Sequence, residues 1–211
     1  MSKPDIILIG AGGHARSCID VIEQCDKFNI VGLVGLPEEM HAQHYGYSVI
    51  ATDDDLQKLA NEYQYAIVTT GQIQSADTRI RLYQQAIKEG FELPTIIAPS
   101  SNISKHATIG AGTIVFHGAM INAGVRVGHN CIINTCSLLE HDVLVDDHCH
   151  VATGAILLGD VKIGSESFVG SGSLIREGVS IGKNCIVGMG LSVRHNLVTN
   201  GRFVGNNKSD N

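Results

Sequence analysis

The hydrophobic positions in the second half of the chain recur at every sixth residue. The series begins at Ile103, ends at Val193 and holds only Ile, Val or Leu over sixteen successive positions. An α-helix repeats every ~3.6 residues and a flat strand about every two, so neither produces this period. A fixed repeat predicts a solenoid, in which each six-residue unit is a short strand and a turn with its aliphatic side chain pointing inward.

The first half has another pattern, in which short apolar runs alternate with amphipathic segments. The predicted strands are Asp5 to Ile9, Ile30 to Leu36, Tyr65 to Thr70 and Leu93 to Ile97. The predicted helices run from Ala15 to Gln24, from Asp53 onward and from Asp77 to Glu89, with a polar loop over Pro37 to Gly46. Strands that alternate with helices favour a small parallel sheet of Rossmann type.

The change of period at Pro99-Ser100-Ser101 divides the chain. We predict a Rossmann-like α/β domain over residues 1–99 and an all-β coil over residues 100–200. The pattern stops after Val193, and residues 201–211 are predicted to form a tail whose polar end, Asn206 to Asn211, is loose.

Composition narrows the class of protein. Hydrophobic residues make up 44% of the chain and charged residues 17%, which are globular values. No apolar run is long enough to span a membrane, and the N-terminus has no signal-peptide pattern, so a cytoplasmic location is expected. Six cysteines without paired CxxC spacing predict free thiols. A net charge of −6 argues against nucleic acid as a partner.

Three motifs together resemble a known family. Many repeats read aliphatic-Gly-x4, as in Ile109-Gly110, Val127-Gly128 and Ile163-Gly164. This resembles the hexapeptide-repeat acyltransferases, whose coil is a left-handed parallel β-helix with three units per turn. A Gly10-Ala11-Gly12-Gly13-His14 turn precedes it, and a block from Ile133 to Asp142 contains Glu140-His141-Asp142. The layout resembles the bacterial sugar acetyltransferases that include UDP-4-amino-sugar N-acetyltransferases and sialic acid O-acetyltransferases.

The resemblance implies an acetyl-CoA-dependent N-acetyltransferase that acts on a UDP-linked, 4-amino sugar for bacterial surface glycans and works as a homotrimer. His141 is the implied general base, because a histidine near neutral pKa can accept the proton of an attacking amine. Its orienting acid is Asp142, Glu140 or a residue of a neighbouring coil. An unbroken repeat leaves no room for a protruding loop inside the coil, so the site must be built from the faces of the coil, with the rest supplied by an adjacent subunit and the Gly10–His14 domain.

Two other functions remain open at this stage. One is O-acetylation of sialic acid or another sugar. The other is a non-enzymatic role, as a β-helix scaffold or a nucleotide-sugar sensor.

Residues for acetyl-CoA also follow from the resemblance: Asn134, His150, Gly159, Ser171, Gly188 and Met189. The spacing of His148, Cys149 and His150 does not fit a closed zinc site, and no metal is predicted.

The glycine-rich turn after the first strand has two interpretations. As G-x-G-x-x-[G/A] it would bind a dinucleotide, but that motif expects an acidic residue at the end of the second strand, and here no acid occurs before Glu38. NAD is therefore disfavoured. The resemblance implies instead that Gly10, Gly12, Gly13 and His14, with Gly71, hold the diphosphate of a UDP-sugar. Thr70, Gln72 and Arg79 are further candidate walls.

Overall fold

The computed structural model describes residues 2–205, so the predicted loose end, Asn206 to Asn211, lies outside it. Residues 5–89 form a five-stranded sheet with helices, and the following chain winds into a left-handed parallel β-helix. Both predicted architectures are confirmed. In residues 2–205, none of the helices combines the length and apolar character that crossing a bilayer requires.

The N-terminal domain has strands in the order β3-β4-β2-β1-β5, parallel except for the β3–β4 pair. Helix α1 buries Cys18, Ile19 and Ile22, and α3 buries Leu82 and Ala86. Its elements are β1 (Asp5–Ile9), α1 (Gly13–Cys25), β2 (Asn29–Gly35), β3 (Gln43–His44), β4 (Tyr47–Thr52), α2 (Leu56–Glu62), β5 (Tyr65–Val68) and α3 (Asp77–Glu89), with 3-10 turns at Pro37–Glu39 and Asp53–Asp55.

The β3–β4 hairpin corrects the prediction of an irregular loop over Pro37 to Gly46. Tyr45 and Gly46 both have positive φ, 51° and 91°, as a tight two-residue hairpin turn requires. The sequence pattern did not indicate this hairpin, because β3 has only two residues and lies at the sheet edge.

The β-helix has three faces, each a parallel sheet of two-residue strands. Face 1 contains β6 (Ile96–Ile97), β9 (Ile114–Val115), β12 (Ile132–Ile133), β15 (His150–Val151), β18 (Phe168–Val169), β21 (Ile186–Val187) and β23 (Arg202–Phe203). Face 2 contains β7 (Asn102–Ile103), β10 (Met120–Ile121), β13 (Leu138–Leu139), β16 (Ile156–Leu157), β19 (Leu174–Ile175) and β22 (Ser192–Val193). Face 3 contains β8 (Thr108–Ile109), β11 (Arg126–Val127), β14 (Leu144–Val145), β17 (Lys162–Ile163) and β20 (Ser180–Ile181).

The aliphatic ladder forms the core of this coil. Strands pair between residues 18 apart, such as Ile121 with Leu139, so three six-residue units make one turn. The ladder residues from Val115 to Val193 are buried, while Ile103 and Ile109 pack against them at one end. The free cysteines Cys131, Cys149 and Cys185 lie in the same core. The predicted inward orientation of the ladder is confirmed.

Both ends of the coil differ from the sequence prediction. The segment Leu93 to Ile97 was predicted as the last strand of the parallel sheet, but Ile96–Ile97 pairs with β9 of the β-helix. Ile97 lies six residues before Ile103 and extends the ladder, so its aliphatic character belongs to the coil. The coil also continues beyond Val193, because β23 pairs with β21 although Phe203 is out of the six-residue series.

Two separate requirements explain the small residues at the corners. Every sixth residue from Gly112 to Gly190 has positive φ, and half of these fourteen positions hold Asn, Asp, Cys, His or Glu. The glycine after the aliphatic residue has ordinary φ and serves close packing instead. A Cβ on Gly164 would lie 2.6 Å from the backbone nitrogen of Lys183 on the next coil. The repeat glycine is therefore required by the contact between coils rather than by the turn.

Gly164→Ala is expected to lower the free energy of unfolding by about 1–3 kcal/mol, because backbone on the neighbouring coil must move. Ser165→Ala changes the adjacent residue by one atom and should stay within about 0.5 kcal/mol of wild type. Urea unfolding followed by circular dichroism measures both variants. Equal midpoints for the two would contradict the proposed close packing.

Candidate active site

His141 lies on an outer corner of the three-sided β-helix (the prism), between face 2 and face 3. Its side chain is 67% exposed, and its Nδ1 lies 3.0 Å from Oδ2 of Asp142. Asp142 occupies the positive-φ corner position, with φ 61°. That conformation lets consecutive side chains meet, which flat strand geometry forbids. Glu140, the competing acid, accepts a hydrogen bond from Asn122 instead.

The carboxylate of Asp142 fixes the chemistry of the imidazole. Because a carboxylate only accepts, Nδ1 of His141 donates and Nε2 is left as the acceptor. The hydrogen bond to Asp142 raises the pKa of His141, and the charges of Glu140 and Asp160 raise it further. His141 is thus equipped to take a proton at Nε2 and to be stabilised as imidazolium.

Gly159 leaves space for the free nitrogen of this histidine. It lies one coil beyond His141, and a Cβ there would be 2.6 Å from Nε2. The absence of a side chain at Gly159 therefore makes room for the imidazole in this position.

Asp142→Asn is expected to shift the acid limb of the pH–rate profile to lower pH. The hydrogen bond to Asp142 raises the pKa of His141, so its loss lowers that pKa and leaves the base unprotonated in more acidic buffer. We also expect kcat to fall, because the neutral amide no longer stabilises the imidazolium. A pH series of kcat/KM from pH 5 to 8 measures the shift, and an unmoved acid limb would contradict the pairing.

A second group of predicted residues lies where the N-terminal domain packs on face 1. His150 is only 7% exposed, its Nδ1 lies 2.6 Å from the carbonyl of Gln72, and its Nε2 lies 3.1 Å from Nδ2 of Asn134. A carbonyl only accepts and an amide nitrogen only donates, so His150 is neutral with its proton on Nδ1. Burial lowers the pKa of His150 to about 4, and the charge of Arg79 adds to this.

The ring of His14 reaches the same junction from the start of α1. It lies 5.3 Å from the ring of Phe116 and 6.4 Å from that of His150. Burial lowers the pKa of His14 to about 3, with the positive charge of Arg79 adding to it. A Cβ on Gly71 would lie 3.4 Å from the Cβ of His14, so the predicted Gly71 and His14 are in contact.

Arg79 is the buried cation of this junction. The residue is 1% exposed, and it donates hydrogen bonds to the carbonyls of Val68, Thr70 and Asn130. Burial lowers its pKa to about 10, so it remains protonated at neutral pH. Its guanidinium thus ties the end of β5 to the β-helix and favours the neutral forms of both histidines. It is a junction residue rather than a cavity wall.

The predicted nucleotide loop borders a cavity of about 210 Å³ at the carboxyl ends of β1 and β2. Gly10 has φ +121°, and a Cβ there would lie 2.4 Å from Oγ1 of Thr70, so only glycine fits. Gly12 and Gly13 are open, since a Cβ on either would meet no atom within 4 Å. Their backbone N–H groups begin α1, where an anion is favoured.

Glu39 is a cavity residue that sequence reasoning missed. The 3-10 turn after β2 brings its carboxylate back to the strand end, where Oε2 accepts a hydrogen bond from the backbone N–H of Leu36 at 2.8 Å. The Glu39 carboxylate therefore lies beside the end of β2, although β2 itself does not end in an acidic residue. The dinucleotide motif does not locate Glu39, because that motif places the acid directly at the end of the second strand.

The predicted site residues at the corners of the β-helix are divided between the two corners that flank face 2. Asn134, Ser171, Gly188 and Met189 lie on the corner between faces 1 and 2, while His141, Asp142 and Gly159 lie on the corner between faces 2 and 3. Within one chain, His141 and the glycine-rich loop are on different sides of the prism. In residues 2–205 no group of three or more His, Cys, Asp or Glu is placed to hold a metal ion.

Comparisons with known families match one segment in each of the two domains. Residues 5–86 match the family described as the PglD N-terminal domain, and residues 160–194 match the hexapeptide repeat of succinyl-transferase. No curated protein sequence matches the chain significantly.

Solved structures resemble the chain over nearly its whole length. One is a variant of perosamine N-acetyltransferase from Caulobacter crescentus, with a histidine replaced by asparagine, in complex with CoA and GDP-perosamine. It is 29% identical, with a TM-score of 0.90, over 97% of this chain and 95% of that one. The acetyltransferase domain of PglB from Neisseria gonorrhoeae, in complex with acetyl coenzyme A, is 28% identical with a TM-score of 0.85 over 93% of this chain and 94% of that one.

WeeI from Acinetobacter baumannii, 21% identical with a TM-score of 0.81 over 96% of this chain and 98% of that one, shows the same fold. A PglD-type N-terminal domain, a hexapeptide-repeat β-helix and two acetyltransferases of similar full-length structure thus agree with the sequence motifs. In both of its domains the chain resembles the hexapeptide-repeat sugar acetyltransferases.

Proposed function

We propose that this protein transfers the acetyl group of acetyl-CoA to the amino group of a nucleotide-linked sugar, as a step in bacterial surface-glycan synthesis. The observation that carries the proposal is the exposed His141–Asp142 pair, in which Asp142 leaves Nε2 of the imidazole as the proton acceptor. Support comes from the relatives, one in complex with CoA and GDP-perosamine and the other with acetyl coenzyme A.

In the proposed reaction the neutral sugar amine attacks the thioester carbonyl. The nitrogen–carbon bond forms, His141 Nε2 removes a proton from the nitrogen, and the carbon–sulfur bond breaks to give CoA and the acetamido sugar. The imidazolium is stabilised by Asp142 and then returns its proton to the departing thiolate. The step requires positioning of the two substrates, a base and donors for the developing oxyanion.

We infer that the working form is a homotrimer. The outward residues of face 2 include four successive apolar side chains, Met120, Leu138, Ile156 and Leu174, of which Met120 and Leu174 are 43% and 37% exposed. Such a stripe favours burial against another subunit, and a closed three-fold ring buries each copy in the same way. It would also place His141 of one subunit beside the glycine-rich loop of the next. Light scattering that gives a monomer mass would contradict this inference.

The glycine-rich loop is proposed to hold the diphosphate at the start of α1. Oε1 of Glu39 would then accept hydrogen bonds from ribose hydroxyls, as the strand-end acid does in dinucleotide sites. This interpretation fits a UDP-sugar and a GDP-sugar equally, so the identity of the nucleobase is left to experiment. Because acetyl-CoA and nucleotide sugars are intracellular metabolites, the proposal places the protein in the cytoplasm.

The function is tested by thiol release from acetyl-CoA with three acceptors in parallel: a UDP-4-amino sugar, a GDP-4-amino sugar and free sialic acid. We expect release with at least one amino sugar and, by mass spectrometry, one acetyl group on the nitrogen. Turnover of sialic acid alone would instead support O-acetylation. If all three acceptors were inert while CoA bound in calorimetry, the acceptor assignment would be wrong.

A further inference from the structure

A groove separate from the His141–Asp142 pair and the glycine-rich loop begins one coil beyond His141, on the face 2 edge of the same corner. Its volume is about 90 Å³, and its lining consists of Leu158, Leu174, Arg176, Ser192, Val193 and Arg194. Arg176 and Arg194 lie on adjacent coils, since the N–H of Arg176 bonds to the carbonyl of Val193 at 3.0 Å. Among the described residues, neither guanidinium lies within 4.0 Å of a carboxylate.

The chemistry of this edge changes along the coil. At the position directly after each inward residue of face 2, the side chains beyond Glu140 are Leu158, Arg176 and Arg194. On the His141 coil itself, Glu140 accepts a hydrogen bond from Asn122 of the preceding coil, and its carboxylate would repel phosphate. A ligand with an apolar arm and a negatively charged end is therefore favoured only toward the C-terminal coils.

The spacing fits such a ligand. Adjacent coils are separated by about 4.8 Å, so Arg176 and Arg194 lie about 10 Å and about 14 Å along the axis from the His141 coil. In CoA, about thirteen bonds join the thioester sulfur to the first phosphorus, and at backbone-like rise these span about 15 Å. A thioester at His141 thus brings the diphosphate to the two arginines.

We propose that Arg176 and Arg194 bind the diphosphate of CoA, with Leu158 and Leu174 against the pantetheine arm. The guanidinium forks suit phosphate oxygens, to which they donate paired hydrogen bonds. The arginines then distinguish CoA from donors that lack the diphosphate. This inference rests on the proposed function, because it takes the thioester to react at His141.

The test compares acetyl-CoA, acetyl-dephospho-CoA and acetyl-pantetheine as donors for Arg176→Ala, Arg194→Ala and the double variant. We expect KM for acetyl-CoA and acetyl-dephospho-CoA to rise about tenfold per arginine removed, at unchanged kcat. The reason is that the contacts with the diphosphate are the same in the ground state and the transition state. Acetyl-pantetheine should show no change. Arg126→Ala, which removes an arginine from face 3, is the matched control.

Calorimetry with CoA and with pantetheine gives the same comparison without turnover, and so separates this inference from the proposed function. Wild-type CoA affinity retained in the double variant would overturn the proposal. An equal loss with pantetheine would overturn it too, because the arginines would then act on the fold rather than on phosphate. Loss with CoA but not with dephospho-CoA would assign them to the 3′-phosphate and would refute the diphosphate contact.

Discussion

Replacement of His141 by alanine is expected to lower kcat for acetyl transfer by about 10³-fold. A positioned general base contributes about 10² to 10⁴ in rate, and the Asp142 partner would be left without the imidazole that it orients. The side chain is 67% exposed and lies outside the core, so the free energy of unfolding should change by less than about 0.5 kcal/mol. Steady-state thiol release and urea unfolding measure the two effects separately.

His106→Ala is the matched control for this variant. His106 is exposed on the same corner two coils earlier, and its removal should leave kcat within about twofold of wild type. Near-normal turnover of His141→Ala would show that His141 is not the general base. A KM effect without a kcat effect would mean that His141 binds substrate rather than moving a proton.

Gly159→Ala should lower kcat by about 10²-fold although the residue carries no reactive group. Its Cβ would lie 2.6 Å from Nε2 of His141, so the ring must rotate away from its position beside Asp142. A misplacement of about 1 Å at a reacting atom is enough to cost two orders of magnitude. The displaced ring is an exposed side chain, so the free energy of unfolding should hold, unlike that of Gly164→Ala, where the added Cβ meets backbone of the next coil.

Glu177→Ala changes the same corner position one coil beyond Gly159 without approaching the imidazole, and it should retain activity. A crystal structure of Gly159→Ala would show the rotated ring. If the variant retained full kcat with the ring in place, Nε2 would not be the reacting atom.

The coil was predictable because its physics is local and repeated. Each aliphatic residue from Val115 to Val193 meets its counterpart one turn away, so the period of six appears directly in the sequence. The glycines after the ladder positions were noticed too, but their reason was not. Only the stacked backbone shows that Gly164 is required by the next coil rather than by its own φ.

The site was predictable in part. The resemblance to a family motif indicated the His141–Asp142 pair. The geometry that brings these neighbouring side chains together depends on the positive φ of Asp142, and the sequence analysis did not predict that conformation. Glu39 escaped notice because a 3-10 turn brings it back to the strand end. Arg79 joins groups that are far apart in sequence, Val68 and Asn130, and such contacts leave no periodic signal.

A pair of complementing variants tests whether His141 of one subunit acts with the glycine-rich loop of another. Gly12→Asp places a carboxylate at the start of α1, where a diphosphate would bind, in a position with no atom within 4 Å of a Cβ. Each of Gly12→Asp and His141→Ala should be inactive alone. After joint unfolding and refolding at equal amounts, about a quarter of the sites in a random trimer would combine an intact His141 with an intact loop from the neighbour. The account predicts recovery of about a quarter of wild-type activity in thiol release, and a mixture that stays inactive while forming hybrid trimers would contradict it.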